Sequence, residues 1–229
     1  MVYFEKKISI WYLKFKKNVN GSYQIRNAPI ANQMTKLLSL SIFCGSSSGN
    51  DESFQRLAFD MGSYLAQNNI SIVYGGAKIG IMGAVADGAI AAGGQVTGVI
   101  PDFLMDKEIA HKNLSELIIV NSMHERKMIM FEKSDGAIIL PGGFGTLDEM
   151  FELLTWGQLG LHNKPVGVLN INGYYDLLFS FIENMVSNNI LKKDNRDMLL
   201  ISHEISELIE KMKHYKATTK TKWIRKEQI

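Results

Sequence analysis

Ala137-Ile138-Ile139-Leu140-Pro141-Gly142-Gly143-Phe144-Gly145-Thr146-Leu147-Asp148-Glu149 is the stretch on which the reading of the fold turns. Four apolar residues give way to a glycine loop, and the loop to a long amphipathic pattern. That order reads as a strand, a tight turn and the start of a helix. A loop with so few side chains lets backbone N–H groups approach an anion, and a helix N-terminus adds partial positive charge. Glu149 is the unexpected residue. An acid in the first helical turn, beside where a phosphate would dock, suits chemistry better than simple anion holding.

The same rhythm extends in both directions. Short apolar runs predict strands over 38–43, 70–74, 96–100, 117–120, 137–140 and 165–169. Between and after them, apolar residues at helical spacing predict helices over 51–68, 80–92, 124–133, from the opening loop to 159, 174–187 and 204–215. Strands alternating with helices imply an α/β fold: a Rossmann-like, doubly wound parallel sheet with helices on both faces, in a single domain. Its crossovers should be right-handed and its ligand should lie at the carboxyl ends of the strands.

Composition bounds the function. The 229 residues are 46% hydrophobic and 21% charged, which suits one globular domain with appended ends. No apolar run approaches the ~18 residues of a membrane span. The net charge of +2 hides an asymmetry: residues 1–36 and 211–229 carry +6 each, leaving −10 for residues 37–210. An acidic body argues against nucleic acid as the main partner, because a broad basic face is the usual footprint. The domain reading is therefore a basic extension over 1–37, a Rossmann-like body over 38–215 and a basic tail over 216–229. Met34 is a candidate natural start. The run Ile8 to Leu13, flanked by lysines, is too short for a secretory segment. With a single cysteine, Cys44, an internal disulfide is excluded and a cytoplasmic setting is expected.

Glycines gather in the loops after the first, second and fifth strands: Cys44-Gly45-Ser46-Ser47-Ser48-Gly49, Gly75-Gly76-Ala77-Lys78-Ile79-Gly80-Ile81-Met82-Gly83, and the opening stretch. Tight turns and close packing explain one such loop; three on the ligand edge point to a binding site. Dinucleotide binding is disfavoured. None of the loops reads Gly-x-Gly-x-x-Gly, and Tyr74-Gly75 stands where an acid for the ribose hydroxyls belongs. The Lys-Ser/Thr pair of an ATP-binding phosphate loop is also missing. Two isolated histidines, His111 and His124, read as loop-holding residues, and no metal set is apparent. Cys44 reads as a small buried residue.

Tyr74-Gly75-Gly76-x-x-x-Gly80-x-Met82-Gly83, Ser122-Met123-His124-Glu125-Arg126-Lys127, Pro141 to Glu149, and Thr155-Trp156-x-Gln158-Leu159-Gly160-x-His162-x-Lys164-Pro165 occur in that order. Over about Leu38 to Tyr215 this set resembles the LOG ("lonely guy") family of cytokinin riboside 5′-monophosphate phosphoribohydrolases. The label "possible lysine decarboxylase" also attaches to such proteins, but no lysine here stands in a recognisable pyridoxal-phosphate context. The resemblance implies hydrolysis of the N-glycosidic bond of an N6-modified AMP, with no cofactor and no metal. It matches Arg126 and Glu149 to the family's essential pair. Gly142, Gly143, Gly145 and Thr146 would hold the 5′-phosphate, with Phe144 among them. Lys127 and Thr155 match substrate contacts, and Glu108 an acid facing the nucleotide. Gly45, Ser46, Gly75 and Gly76 complete the candidate contacts. Arg126 is expected to orient Glu149 or the ligand and to keep the carboxylate ionised. Ala77 departs from a third consecutive glycine. The resemblance also implies a homodimer. Two other readings stay open: a non-catalytic nucleotide or molybdenum-cofactor-like carrier or sensor, and plain AMP nucleosidase activity.

Overall fold

The computed structural model describes residues 35–105 and 109–217. Glu108, the candidate start at Met34, most of the basic extension and the tail beyond Ala217 lie outside the described residues. Seven strands form one sheet: β1 (Ser39–Phe43), β2 (Ser71–Tyr74), β3 (Val96–Pro101), β4 (Glu116–Val120), β5 (Gly136–Ile139), β6 (Val166–Leu169) and β7 (Leu199–Ser202). All neighbouring pairs are parallel, in the order β4-β3-β2-β1-β5-β6-β7. Leu40 pairs with Ile72 on one side and with Gly136 on the other. The expected doubly wound α/β fold is present.

One element differs from the expectation. β7 extends the sheet beyond the six strands read from the sequence, pairing Leu199 with Val166 and Ser202 with Leu169.

The helices are α1 (Glu52–Gln67), α2 (Gly80–Ala91), α3 (Met123–Glu132), α4 (Phe144–Gln158), α5 (Asp176–Ser187), the single turn α6 (Lys193–Arg196) and α7 (Ile205–Lys213). They bury two apolar faces of the sheet. Leu40, Ile42, Ile72 and Tyr74 pack with Met61 and Leu65 of α1, Val85 and Ala89 of α2, and Leu208 and Met212 of α7. Phe43, Val73, Val99 and Ile139 face Met130 of α3, Met150 and Leu153 of α4, and Ile182 of α5. Strands buried on both faces explain why they read as nearly continuous apolar runs. No described helix is long and apolar enough to cross a membrane.

The strand order places the site. From β1 the chain builds outward through β2, β3 and β4, then returns to the other side of β1 with β5. The loops leaving β1 and β5 therefore turn to opposite sides and open a crevice between them, as at the switch point of other doubly wound sheets. Both of these loops are among the glycine loops.

Candidate active site

The three glycine loops are fastened to one another by their backbones. Gly45 N–H donates to the Pro141 carbonyl at 3.0 Å, joining the loop after β1 to the loop after β5. The Gly45 carbonyl accepts from Met82 N–H at 3.3 Å, joining the same loop to α2. A Cβ on Gly142 would stand 2.2 Å from Thr146 Oγ1 and 2.9 Å from Gly45 N, so the loops meet too closely there for any side chain. A cleft of about 200 Å³ opens at this junction, lined by Gly45, Ser47, Gly49, Phe54, Ile81, Pro141, Gly142, Gly143 and Tyr174. A larger hollow of about 420 Å³ lies between α1 and the turns after β6 and β7. None of the glycine loops lines it, so volume alone does not locate the chemistry.

Helix α3 delivers Arg126. Ser122 caps it by accepting from Glu125 N–H at 3.1 Å, and Glu125 reaches back to Asn121 N–H at 3.0 Å. Such reciprocal caps fix where a helix begins. Arg126 follows in the next position and is only 3% exposed. Its Nη2 donates to the Gly75 carbonyl at 3.0 Å. A Cβ on Gly75 would lie 1.8 Å from that nitrogen, so the glycine is what lets the guanidinium pass. A buried arginine on a short helix exceeds any surface ion-pair role.

Helix α4 delivers Glu149. Its N-cap is Gly143, with no side-chain cap. Gly143 and Gly145 have open space where a Cβ would go, and neither has positive φ. Packing and turn geometry thus leave these two glycines unexplained, whereas an approaching ligand would need them bare. Glu149 is the sixth helical residue, in the second turn rather than the first. It stands one turn beyond Gly145 on the same face, about 6 Å along the axis. Burial pushes its carboxyl up to about 7, against the pull of Arg126 and then Lys127. Arg126 favours the ionised carboxylate, as expected of it, but desolvation outweighs its pull. A carboxyl near 7 takes and gives protons at neutral pH.

Cys44, directly after β1, lies within electrostatic reach of both Glu149 and Arg126. Burial pushes its thiol well above the ordinary range, so it is a wall and not a nucleophile.

Other expected residues stand elsewhere. Lys127 bridges α3 to α4, with Nζ 3.1 Å from Asp148 and 2.8 Å from Glu152. Burial opposes its charge, but hydrogen bonds to those two acids hold it above its usual value. Gly76 is buried with φ +79° and faces Ile100 and Leu117, so the sheet already accounts for it. Ser46 is exposed in the first loop and Phe144 is 93% exposed at the start of α4. Thr155 lies near the far end of α4, at a hollow of about 190 Å³ shared with Phe151, Leu154, Ile182 and Met185. His111 holds its loop, 3.0 Å from Asp87 and accepting from Asn113 N–H at 3.1 Å. His124 does not: it is exposed and its side chain makes no hydrogen bond among the described residues.

The family description "Possible lysine decarboxylase" matches residues 82–212. Cytokinin riboside 5′-monophosphate phosphoribohydrolase LOG5 of Arabidopsis thaliana is 45% identical over 175 residues, covering 76% of this chain and 77% of the relative. The chain belongs to the LOG family. LOG1 of the same plant is 41% identical over 194 residues, covering 82% of this chain and 91% of its own. Among solved structures, the molybdenum cofactor carrier protein of Chlamydomonas reinhardtii superposes with a TM-score of 0.59 at 17% identity, covering 79% of this chain and 98% of that one. The molybdenum cofactor binding protein of Rippkaea orientalis gives 0.58 at 20%, covering 76% and 94%. These two share the fold alone with this LOG-family chain.

Sequence reasoning missed Tyr174. Its hydroxyl donates to the Gly142 carbonyl at 3.0 Å, inside the cleft wall. The Tyr174-Tyr175 pair directly after the β6 turn is the signal that marks it.

Proposed function

We propose that the protein hydrolyses the N-glycosidic bond of nucleoside 5′-monophosphates of the N6-modified AMP type, releasing free base and ribose 5-phosphate. The observation that carries this reading is the spacing on α4. Bare glycines stand at a helix start with no side-chain cap, and a half-buried carboxyl near neutrality stands one turn further along the same face. A phosphate held by the first-turn N–H groups puts the ribose over that turn and its C1′ near Glu149.

The chemistry follows from the charges. As the C1′–N9 bond breaks, its electron pair leaves on the base, and positive charge spreads over C1′ and the ring oxygen. The ionised Glu149 stabilises that charge and accepts a proton from the water that adds to C1′. The departing base takes a proton at nitrogen from solvent, and Glu149 returns to solvent the proton it accepted, which restores the carboxylate. Arg126, held by the Gly75 carbonyl, lowers the cost of the ionised carboxylate in its dry setting. Gly45, Ser46, Gly142 and Thr146 bring further groups to the phosphate, while Glu108, Lys127 and Thr155 belong to the substrate's outer contacts.

The body over 38–215 carries the reaction, and the basic ends stand outside it. It acts in the cytoplasm, as a homodimer. Leu177 and Phe181, four apart on α5, are 87% and 60% exposed, and Phe151 on α4 is 40% exposed. Large apolar groups left in water at this density support an interface. Light scattering at micromolar concentration should give twice the chain mass.

Incubation with isopentenyl-AMP and with AMP, separating free base by chromatography, tests the activity. Base from the modified nucleotide in excess of adenine from AMP supports the reading. Binding of both without release of either base contradicts it and favours a carrier; equal turnover of both points to plain AMP nucleosidase activity.

A further inference from the structure

Three consecutive carbonyls of the loop after β5 are each held by a different part of the fold. Leu140 O accepts from the Tyr175 hydroxyl at 2.8 Å. Pro141 O accepts from Gly45 N–H at 3.0 Å, and Gly142 O from the Tyr174 hydroxyl at 3.0 Å. A trans peptide is planar, so its N–H points opposite to its C=O. Holding Pro141 O therefore aims the Gly142 N–H, and holding Gly142 O aims the Gly143 N–H. The Gly142 N–H turns back to the Tyr175 hydroxyl, whereas the Gly143 N–H has no acceptor among the described residues and is left for a ligand.

The two tyrosines are themselves rigidly placed. Asn170, 1% exposed, accepts from Tyr175 N–H at 2.9 Å and donates to Asp176 at 2.6 Å. Asn172, at φ +51°, ties the same turn to Asp51 and Ser53 at the start of α1. The Tyr174 ring meets Phe54 edge to face at 5.5 Å and Tyr175 at 4.7 Å. An exposed tyrosine held by this many contacts is braced for the bond that its hydroxyl makes.

We propose that Tyr174, with Tyr175 as its anchor, is a positioning residue that presets the Gly142–Gly143 peptide for the 5′-phosphate. The proposal rests on the hydrolase reading above. It makes Tyr174 a determinant of phosphate affinity and leaves the bond-breaking step to Glu149. Losing one such hydrogen bond corresponds to about a three- to tenfold change in affinity.

Tyr174→Phe keeps the ring against Phe54 and removes only the donor. KM for isopentenyl-AMP should rise about three- to tenfold with kcat within about twofold, and inhibition by ribose 5-phosphate should weaken by the same factor. Hydrolysis of the riboside, which has no 5′-phosphate, should not change. Tyr175→Phe, buried at 3%, should show the same split with a lower melting temperature. Unchanged KM and unchanged ribose 5-phosphate inhibition in Tyr174→Phe would overturn the proposal, as would an equal loss on the riboside. If the wild-type protein binds neither AMP nor ribose 5-phosphate, the hydrolase reading falls and this one with it. Tight wild-type binding that Tyr174→Phe leaves intact overturns this one alone.

Discussion

The glycine loops after β2 and β5 look alike in sequence but answer to different demands. In the first, a Cβ on Gly75 would strike the Arg126 guanidinium, and one on Gly80, at φ +64°, would stand 2.2 Å from Ser46 O. The fold itself requires those residues to be bare. In the second, Gly143 and Gly145 face open space with ordinary backbone angles. Gly143 suits the N-cap, but Gly145 inside the first turn has no steric reason and costs helix stability, which a ligand's approach offsets. One loop is scaffolding that carries the arginine; the other is the surface that meets substrate.

Substitutions sharpen this contrast, beginning with the largest effect. Gly75→Ala should displace Arg126 and lower kcat/KM at least a hundredfold, with about 3 kcal/mol of stability lost in urea unfolding. Retained activity would break the distinction between the loops.

The next effect is electrostatic and reverses the usual sign. Glu149 has its carboxyl raised from 4.5 to about 7 in the folded protein. The folded state thus binds this proton more tightly than the unfolded state. Its stabilisation is full below about pH 4.5 and lost as pH rises through 7, where about 3 kcal/mol is at stake. Glu149→Gln should therefore be more stable than wild type in urea at pH 8, by up to that amount, and equal near pH 4.5. Activity should run the other way, with kcat/KM rising through about pH 7 as the carboxylate ionises.

Gly145→Ala is smaller. It should raise KM about tenfold while stability stays level or gains about 0.5–1 kcal/mol, because alanine favours the helix and meets no neighbour. Stability lost together with affinity would place Gly145 with the scaffolding glycines. Lys127→Met should cost least, about 1 kcal/mol or less, since Asp148 is 68% exposed.

The sheet was legible because strands buried on both faces are apolar without interruption, and the helices because their apolar residues recur at helical spacing. β7 escaped because Leu199-Leu200-Ile201-Ser202 is one short run behind a polar stretch, with no loop signal of its own. The site was legible as a set of motifs and not as a geometry. That Arg126 rests on Gly75, 51 residues away, depends on packing. So does the carboxyl of Glu149, for which sequence shows the neighbouring charges but not the desolvation that outweighs them. Tyr174 has only the Tyr174-Tyr175 pair as its sequence signal, because its partner is a carbonyl, which no side-chain pattern records.

The central claim is that α4 binds the nucleotide at its start and does chemistry one turn later. The most direct test is single-turnover hydrolysis of isopentenyl-AMP by Glu149→Gln at pH 8, with nucleotide affinity measured on the same sample. The account predicts a rate lowered by about a thousandfold, on the scale of a lost general base and charge stabiliser, and affinity within about threefold of wild type. A rate within tenfold of wild type at unchanged affinity would contradict it.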